Sequence, residues 1–201
     1  MQAGHANAIC YSGYREGQSP QAGIYPSYAE ISEDLDILSR NWKFLRLYDC
    51  SPHAETVLEV IRNEGLDFRL MLGLDVAAEM SNWNCPWGAE YSEDILSANR
   101  QANSEQVDKL IALASRYPDI VSSVSVGNSA TVEWTDHMVS VDSLLGSVRR
   151  IKAVISQPVT FCENYGPWTS KPEPLAAEQD FSSVHTYPGW EYRTIEDALG
   201  Y

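Results

Sequence analysis

The feature that most constrains this chain is an alternation repeated six times, a short apolar run of strand character followed by a segment of helical spacing. Residues 7–12, 42–48, 68–74, 120–126, 158–162 and 181–186 read as strands. After the first, Ser27-Tyr28-Ala29-Glu30 has the form of a capping box. Tyr28, Ile31, Leu35 and Leu38 then recur at helical spacing. Ser51-Pro52 opens a second helix as N-cap and first helical proline. Its apolar face is Val57, Leu58 and Ile61, and Gly65 ends it. A third helix carries Val107, Leu110, Ile111 and Ala114. A fourth carries Val141, Leu144, Leu145, Val148 and Ile155. A short helix is expected over 173–179, and Thr194 is expected to cap a last helical piece. Strands alternating with helices predict a parallel α/β sheet covered by helices.

An open doubly wound sheet usually carries a glycine-rich phosphate loop after its first strand. Here that loop runs Tyr11-Ser12-Gly13-Tyr14-Arg15-Glu16-Gly17-Gln18 and lacks the pattern. Polar and aromatic residues close nearly every strand, which fits the mouth of a (β/α)8 TIM barrel, where chemistry sits at the C-terminal strand ends. Such a barrel needs eight strands and typically ~250 residues. The 201 residues are therefore expected to form one catalytic-type domain, 1–201, that supplies about six β-α units and is incomplete at its C-terminus. The central stretch is Val124-Ser125-Val126-Gly127-Asn128-Ser129-Ala130, a buried strand that meets glycine and a polar pair. Gly-Asn-Ser is also ordinary turn chemistry. Glu133, Trp134, Asp136 and His137 come next. The connection over 76–99 is long, and Trp83, Trp87 and Tyr91 make it too aromatic for disorder. It is expected to fold over one side of the mouth.

Charge narrows the partners. The formal net charge is −14 and the pI about 4.5. Nucleic acid is excluded as a partner on this ground, because its binding rests on Lys and Arg neutralising phosphates. An anionic membrane surface is disfavoured for the same reason, and no apolar run approaches the ~18 residues of a span. A neutral ligand meets no such barrier. Cys10, Cys50, Cys85 and Cys162 form no CxxC pair and read as small core thiols. The four histidines fall in unrelated units without ligand spacing, so neither metal nor cofactor is expected. The N-terminus has no basic and apolar leader pattern.

With the strand ends in order, the sequence resembles the short microbial members of glycoside hydrolase family 17, β-1,3-glucanases and β-1,3-glucan transglycosylases on a (β/α)8 barrel. The resemblance rests on Ile9-Cys10-Tyr11-Ser12-Gly13, Arg46-Leu47-Tyr48-Asp49, Val126-Gly127-Asn128, Glu163-Asn164-Tyr165 and His185-Thr186-Tyr187-Pro188. These run in the family's order along the whole chain. The resemblance implies a retaining glycosidase or transglycosylase acting on β-1,3-glucan, and an extracellular or periplasmic setting.

Two departures stand out. Where the family has Gly-Asn-Glu, with the glutamate as general acid/base, this chain has Ser129. The family's nucleophilic glutamate belongs to a seventh strand outside these residues. Retaining hydrolysis uses two carboxyl groups about 5–5.5 Å apart, and a serine hydroxyl cannot protonate a glycosidic oxygen at neutral pH. The chain therefore reads as an inactivated glycosidase, with a non-catalytic β-glucan-binding protein as the alternative. Tyr11, Tyr165, Trp168, Tyr187 and Trp190 are the expected sugar platforms, since aromatic faces bury sugar CH surfaces. By the resemblance Asn128 reaches a sugar hydroxyl. Arg46 lies in an apolar strand and needs a partner, for which Glu163, otherwise a sugar ligand, is the candidate. A structural and a functional ion pair fit equally. Asp49 and Asp75 close their strands and are candidates to orient the site. His185 reads as a hydrogen-bonding residue behind it. A second polypeptide completing the barrel is a further expected partner.

Overall fold

The structure is a computed structural model and describes residues 7–168, 173–192, 194 and 196. Six parallel strands follow one another in chain order: β1 (Ala8–Cys10), β2 (Phe44–Arg46), β3 (Arg69–Leu74), β4 (Val121–Asn128), β5 (Val159–Asn164) and β6 (Ser183–His185). Helices α1 (Tyr28–Ser39), α2 (Pro52–Glu64), α3 (Glu93–Arg116) and α4 (Val141–Lys152) separate the first five strands. The short helices α5 (Tyr165–Trp168) and α6 (Glu173–Glu178) lie between β5 and β6. The sheet curls into a partial (β/α)8 barrel. Among the described residues no helix is long and apolar enough to cross a membrane. The last helical piece expected behind Thr194 lies outside the described residues.

Local signals account for most helix ends. The Ser27 hydroxyl accepts from Glu30 N, and the Glu30 carboxylate accepts from Ser27 N, completing the capping box. Pro52 starts α2, and Gly65 ends it in the left-handed region at φ 64. α3 begins at Glu93, well before the apolar stripe that marks it in the sequence. Its first turns are mostly polar, with only Leu96 buried there, so apolar periodicity misses them. Ser92 caps this start, and Glu93 and Asp94 favour it by facing the positive end of the helix dipole. β5 runs on to Asn164 rather than stopping at Cys162. β1, β2 and β6 are shorter than their apolar runs; Trp42 closes the end of α1 instead of opening a strand.

The core lies between the sheet and its helices. Leu45, Leu47, Leu70, Leu72, Leu74, Val124, Val126, Val159 and Phe161 pack against Ile31, Leu35, Val57, Leu58, Leu110 and Leu144 in one cluster. Each such side chain stabilises the fold by about 1.5–3 kcal/mol when buried. Because side chains alternate along a strand, the neighbours of these residues, Arg46, Met71, Gly73 and Ser125, face the barrel axis. The axis is tight between β2 and β3, where a Cβ on Gly73 would stand 2.5 Å from the Leu47 carbonyl oxygen. All four cysteines are free, with Cys10 exposed and the others buried.

One irregularity shapes the mouth. Ser125 of β4 pairs with Thr160 and Asn128 with Cys162, so β4 spends one more residue than β5 over the same stretch. This is a β-bulge, which leaves a residue unpaired and re-aims the side chains beyond it. Without it, Asn128 would face the helices with Val124 and Val126. With it, Asn128 faces the axis. Gly127 makes the bulge possible at φ 84, and a Cβ there would press within 3.3 Å of Phe161 and 3.4 Å of Val76.

Two outcomes are expected. Gly127→Ala will lower stability by about 1–3 kcal/mol through left-handed strain, measured by denaturant unfolding; a neutral effect would remove the bulge argument. Among the described residues β1 and β6 each pair on one side only, and open parallel edges are sticky. A polypeptide limited to these 201 residues will therefore self-associate in sedimentation velocity, and a compact monomer with sharp near-UV dichroism would refute this.

Candidate active site

The axis at the mouth is occupied by three polar side chains from even-numbered strands, Arg46 of β2, Asn128 of β4 and His185 of β6. This follows barrel layering, in which one layer draws its residues from alternate strands. Arg46 Nη2 donates to Asn128 Oδ1 at 2.6 Å. Arg46 Nη1 lies 3.1 Å from His185 Nε2, and the guanidinium carbon sits 4.7 Å from the centre of the Tyr48 ring. Arg46 Nε is buried without a partner. Ser129 Oγ is 3.2 Å from His185 Nδ1. Burial and the Arg46 charge push the His185 pKa down to about 4, so its ring is neutral at neutral pH.

The turn that presents Asn128 and Ser129 is held from three sides. Ser129 is in the left-handed region at φ 50, unusual for a residue with a Cβ, and its N–H donates to the Cys162 carbonyl at 2.9 Å. His137 Nε2 stands 2.9 Å from the Asn128 carbonyl oxygen; a carbonyl only accepts, so this nitrogen carries the hydrogen. Glu163 supplies the third tie. Its carboxylate accepts from Thr131 N at 2.9 Å, from Thr131 Oγ1 at 2.7 Å and from Asn164 N at 2.6 Å. Burial raises its pKa, and these hydrogen bonds oppose that rise. Glu163 is thus not the partner of Arg46. The two lie on opposite faces of the sheet, Glu163 sharing the helix-facing side with Val159 and Phe161.

Beside this centre the strand ends open an aromatic cleft of about 570 Å³, lined by Trp87, Trp134, Asn164, Tyr187 and Trp190. The Trp87 and Trp134 rings are 6.3 Å apart, centre to centre. The β3–α3 connection does fold over this side of the mouth. Buried Asn82 clips it there, its Nδ2 donating to the Glu133 and Thr135 carbonyls at 2.8 and 2.7 Å. Trp83, on the same connection, points to solvent and is 75% exposed. At the β2 and β3 ends a second, polar pocket of about 500 Å³ contains Asp49, Asp75, His137, Tyr25 and Lys109. Asp75 is open to solvent on one side, yet protein crowds it on the others and raises its pKa, and Asp49 adds to the rise.

The residues singled out in the sequence divide accordingly. Arg46, Asn128, Ser129 and His185 converge, Tyr187 and Trp190 join the cleft, and Asp49 lines the polar pocket. Tyr165 starts α5 at the end of β5, outside the cleft lining. Tyr11 is not in the mouth. It is two residues from helix-facing Ile9, is buried, and donates its hydroxyl to Asp34 of α1 at 2.8 Å. Trp168 packs edge-on against Phe161 and donates to the Ser183 carbonyl, so it too belongs to the packing layer. Sequence reasoning leaves Asn82, Trp134 and the His137 contact without a role. Asn82, in a Trp-rich loop, carries no local signal for a contact so far along the chain.

No family model and no curated protein matches the sequence. Solved structures do match the fold. The crystal structure of an endo-laminarinase from Formosa Hel1_33_131 is 27% identical at TM-score 0.74, covering 92% of this chain and 51% of that one. An active-site mutant of the Rhizomucor miehei β-1,3-glucanosyltransferase in complex with laminaritriose is 18% identical at TM-score 0.69, covering 97% and 62%. The glycoside hydrolase family 17 β-1,3-glucanosyltransferase from the same organism is 17% identical at TM-score 0.68, again covering 97% and 62%. The chain thus spans between half and two thirds of these proteins and carries a glycoside hydrolase family 17-like fold as a partial (β/α)8 barrel.

Proposed function

We propose that this chain binds β-1,3-linked glucan across the strand ends, as part of a glycosidase-type barrel whose acid/base position holds Ser129. The observation that carries the reading is the aromatic cleft of Trp87, Trp134, Tyr187 and Trp190 opening beside the Arg46–Asn128–His185 layer. Tryptophan and tyrosine faces bury the CH surface of a sugar at low entropy cost, and the polar layer beside them orients its hydroxyls. The likeness to a laminarinase and to β-1,3-glucanosyltransferases supports the linkage.

The chemistry is that of a retaining displacement with one carboxylate replaced. Among the described residues neither Arg46 nor His185 has a carboxylate partner, and Ser129 lacks an acidic proton. The nucleophilic carboxylate would come from a seventh strand outside these residues. The same lack favours a second reading, a β-glucan-binding protein without turnover.

Three outcomes test the proposal. Trp87→Ala and Trp190→Ala will each weaken laminari-oligosaccharide binding by roughly tenfold, about 1.4 kcal/mol, in calorimetric titration. Tyr11→Phe will leave that affinity unchanged while lowering stability by about 1 kcal/mol through loss of the bond to Asp34; unaltered binding in both tryptophan variants would reject the cleft. In a protein that also carries the seventh and eighth strands, Ser129→Glu will raise laminarin hydrolysis by roughly 10²–10⁴-fold, the usual worth of a general acid. No rise, with binding intact, would leave only the second reading.

A further inference from the structure

Gly127-Asn128-Ser129 sets a serine with positive φ against a histidine, the outward look of a nucleophile and its base. The hydrogen-bond directions rule otherwise. A guanidinium has only donors, so His185 Nε2, 3.1 Å from Arg46 Nη1, must accept and bears no hydrogen. In a neutral imidazole the single hydrogen is then on Nδ1, which faces Ser129 Oγ at 3.2 Å. The same guanidinium holds Asn128 Oδ1 through Nη2 at 2.6 Å, which turns the Asn128 amide N–H₂ away from Arg46.

We infer that Arg46 is a positioning residue that fixes the hydrogen-bond polarity of the site, holding His185 as a permanent donor to residue 129 and Asn128 as a donor to the ligand. Ser129 then accepts from His185, and its own hydroxyl hydrogen is left to a ligand oxygen. The centre therefore presents donors, and what it takes is an acceptor oxygen. A serine nucleophile needs the reverse arrangement, an unprotonated nitrogen toward the hydroxyl and a carboxylate on the other nitrogen. Here a guanidinium occupies the carboxylate's place. The downward shift of His185, caused first by burial and then by the Arg46 charge, agrees, since protonation would set a second cation against Arg46. The hydrogen-bond directions go beyond the glucan reading and do not rest on it, because they belong to the unliganded site; the donation to a ligand rests on that reading.

The test is two-bond ¹H–¹⁵N correlation of the histidine rings in the ¹⁵N-labelled full chain. His185 is expected to show a pyrrole-type Nδ1 and a pyridine-type Nε2 throughout the range above about 4. Arg46→Met will release the lock: the Nε2–H tautomer, ordinarily favoured in water, will emerge, and His185 will titrate nearer the usual histidine range. Arg46→Lys, which keeps donor and charge, and Ser129→Ala will both retain the Nδ1–H form. A fluorophosphonate probe will leave Ser129 unlabelled. A pyridine-type Nδ1 in the unsubstituted protein, rapid labelling of Ser129, or loss of the tautomer in Ser129→Ala would overturn the assignment. If Arg46→Met does not fold, the remaining arms still decide it. Failure of glucan binding with the expected tautomer would count against the proposed function alone.

Discussion

The extra residue that β4 accommodates at the Val126-Gly127 step is the constraint on which the site depends. A strand offers alternate side chains to two faces, and here one face is committed to the helix layer by Val124 and Val126. The bulge shifts the phase by one, so the residues after Gly127 change faces without disturbing the packing before it. Asn128 thereby meets Arg46, and Ser129 enters the left-handed region beside His185. Glycine carries the conformation because no Cβ is there to meet Phe161 and Val76.

Around that bulge the molecule divides its polar groups by face. Glu163, on the helix-facing side, is fully buried and holds the turn through hydrogen bonds from Thr131 and Asn164. Arg46, on the axis side, keeps its charge over the Tyr48 ring, a contact worth about 0.5–2 kcal/mol. In a chain of net charge −14, the centre of the mouth is thus a local positive spot among neutral donors, while Asp49 and Asp75 line the pocket at its flank. The mouth joins three environments, an aromatic cleft, a polar centre around Arg46 and a pocket lined by carboxylates.

Much of the architecture was legible because its signals are local. The capping box at Ser27, the proline and glycine that bound α2 and the apolar stripe of α4 act within a few residues, and each lies where the pattern places it except Ile155, which follows the end of α4 at Lys152. The start of α3 was not legible from periodicity, since its first turns face solvent and only the cap and acidic first turn mark them. The residues at strand ends could likewise be picked out singly, as Arg46, Asn128, Ser129 and His185 were. Their partners could not. Pairing Arg46 with Glu163 matches opposite charges at strand ends but has no means of assigning the two to different faces.

The amino-acid sequence by itself determined the succession of strands and helices, the parallel sheet and the acidic net charge. These rest on hydrophobic period, caps and composition, which need no knowledge of distant contacts. The tertiary structure alone decided which side chains share the mouth. Tyr11 and Trp168 went to the packing layer, while Trp87 and Trp134 were brought together from two different loops by Asn82. Phase along a strand and the closing of one loop on another are set by packing across the whole sheet, and no local pattern encodes them.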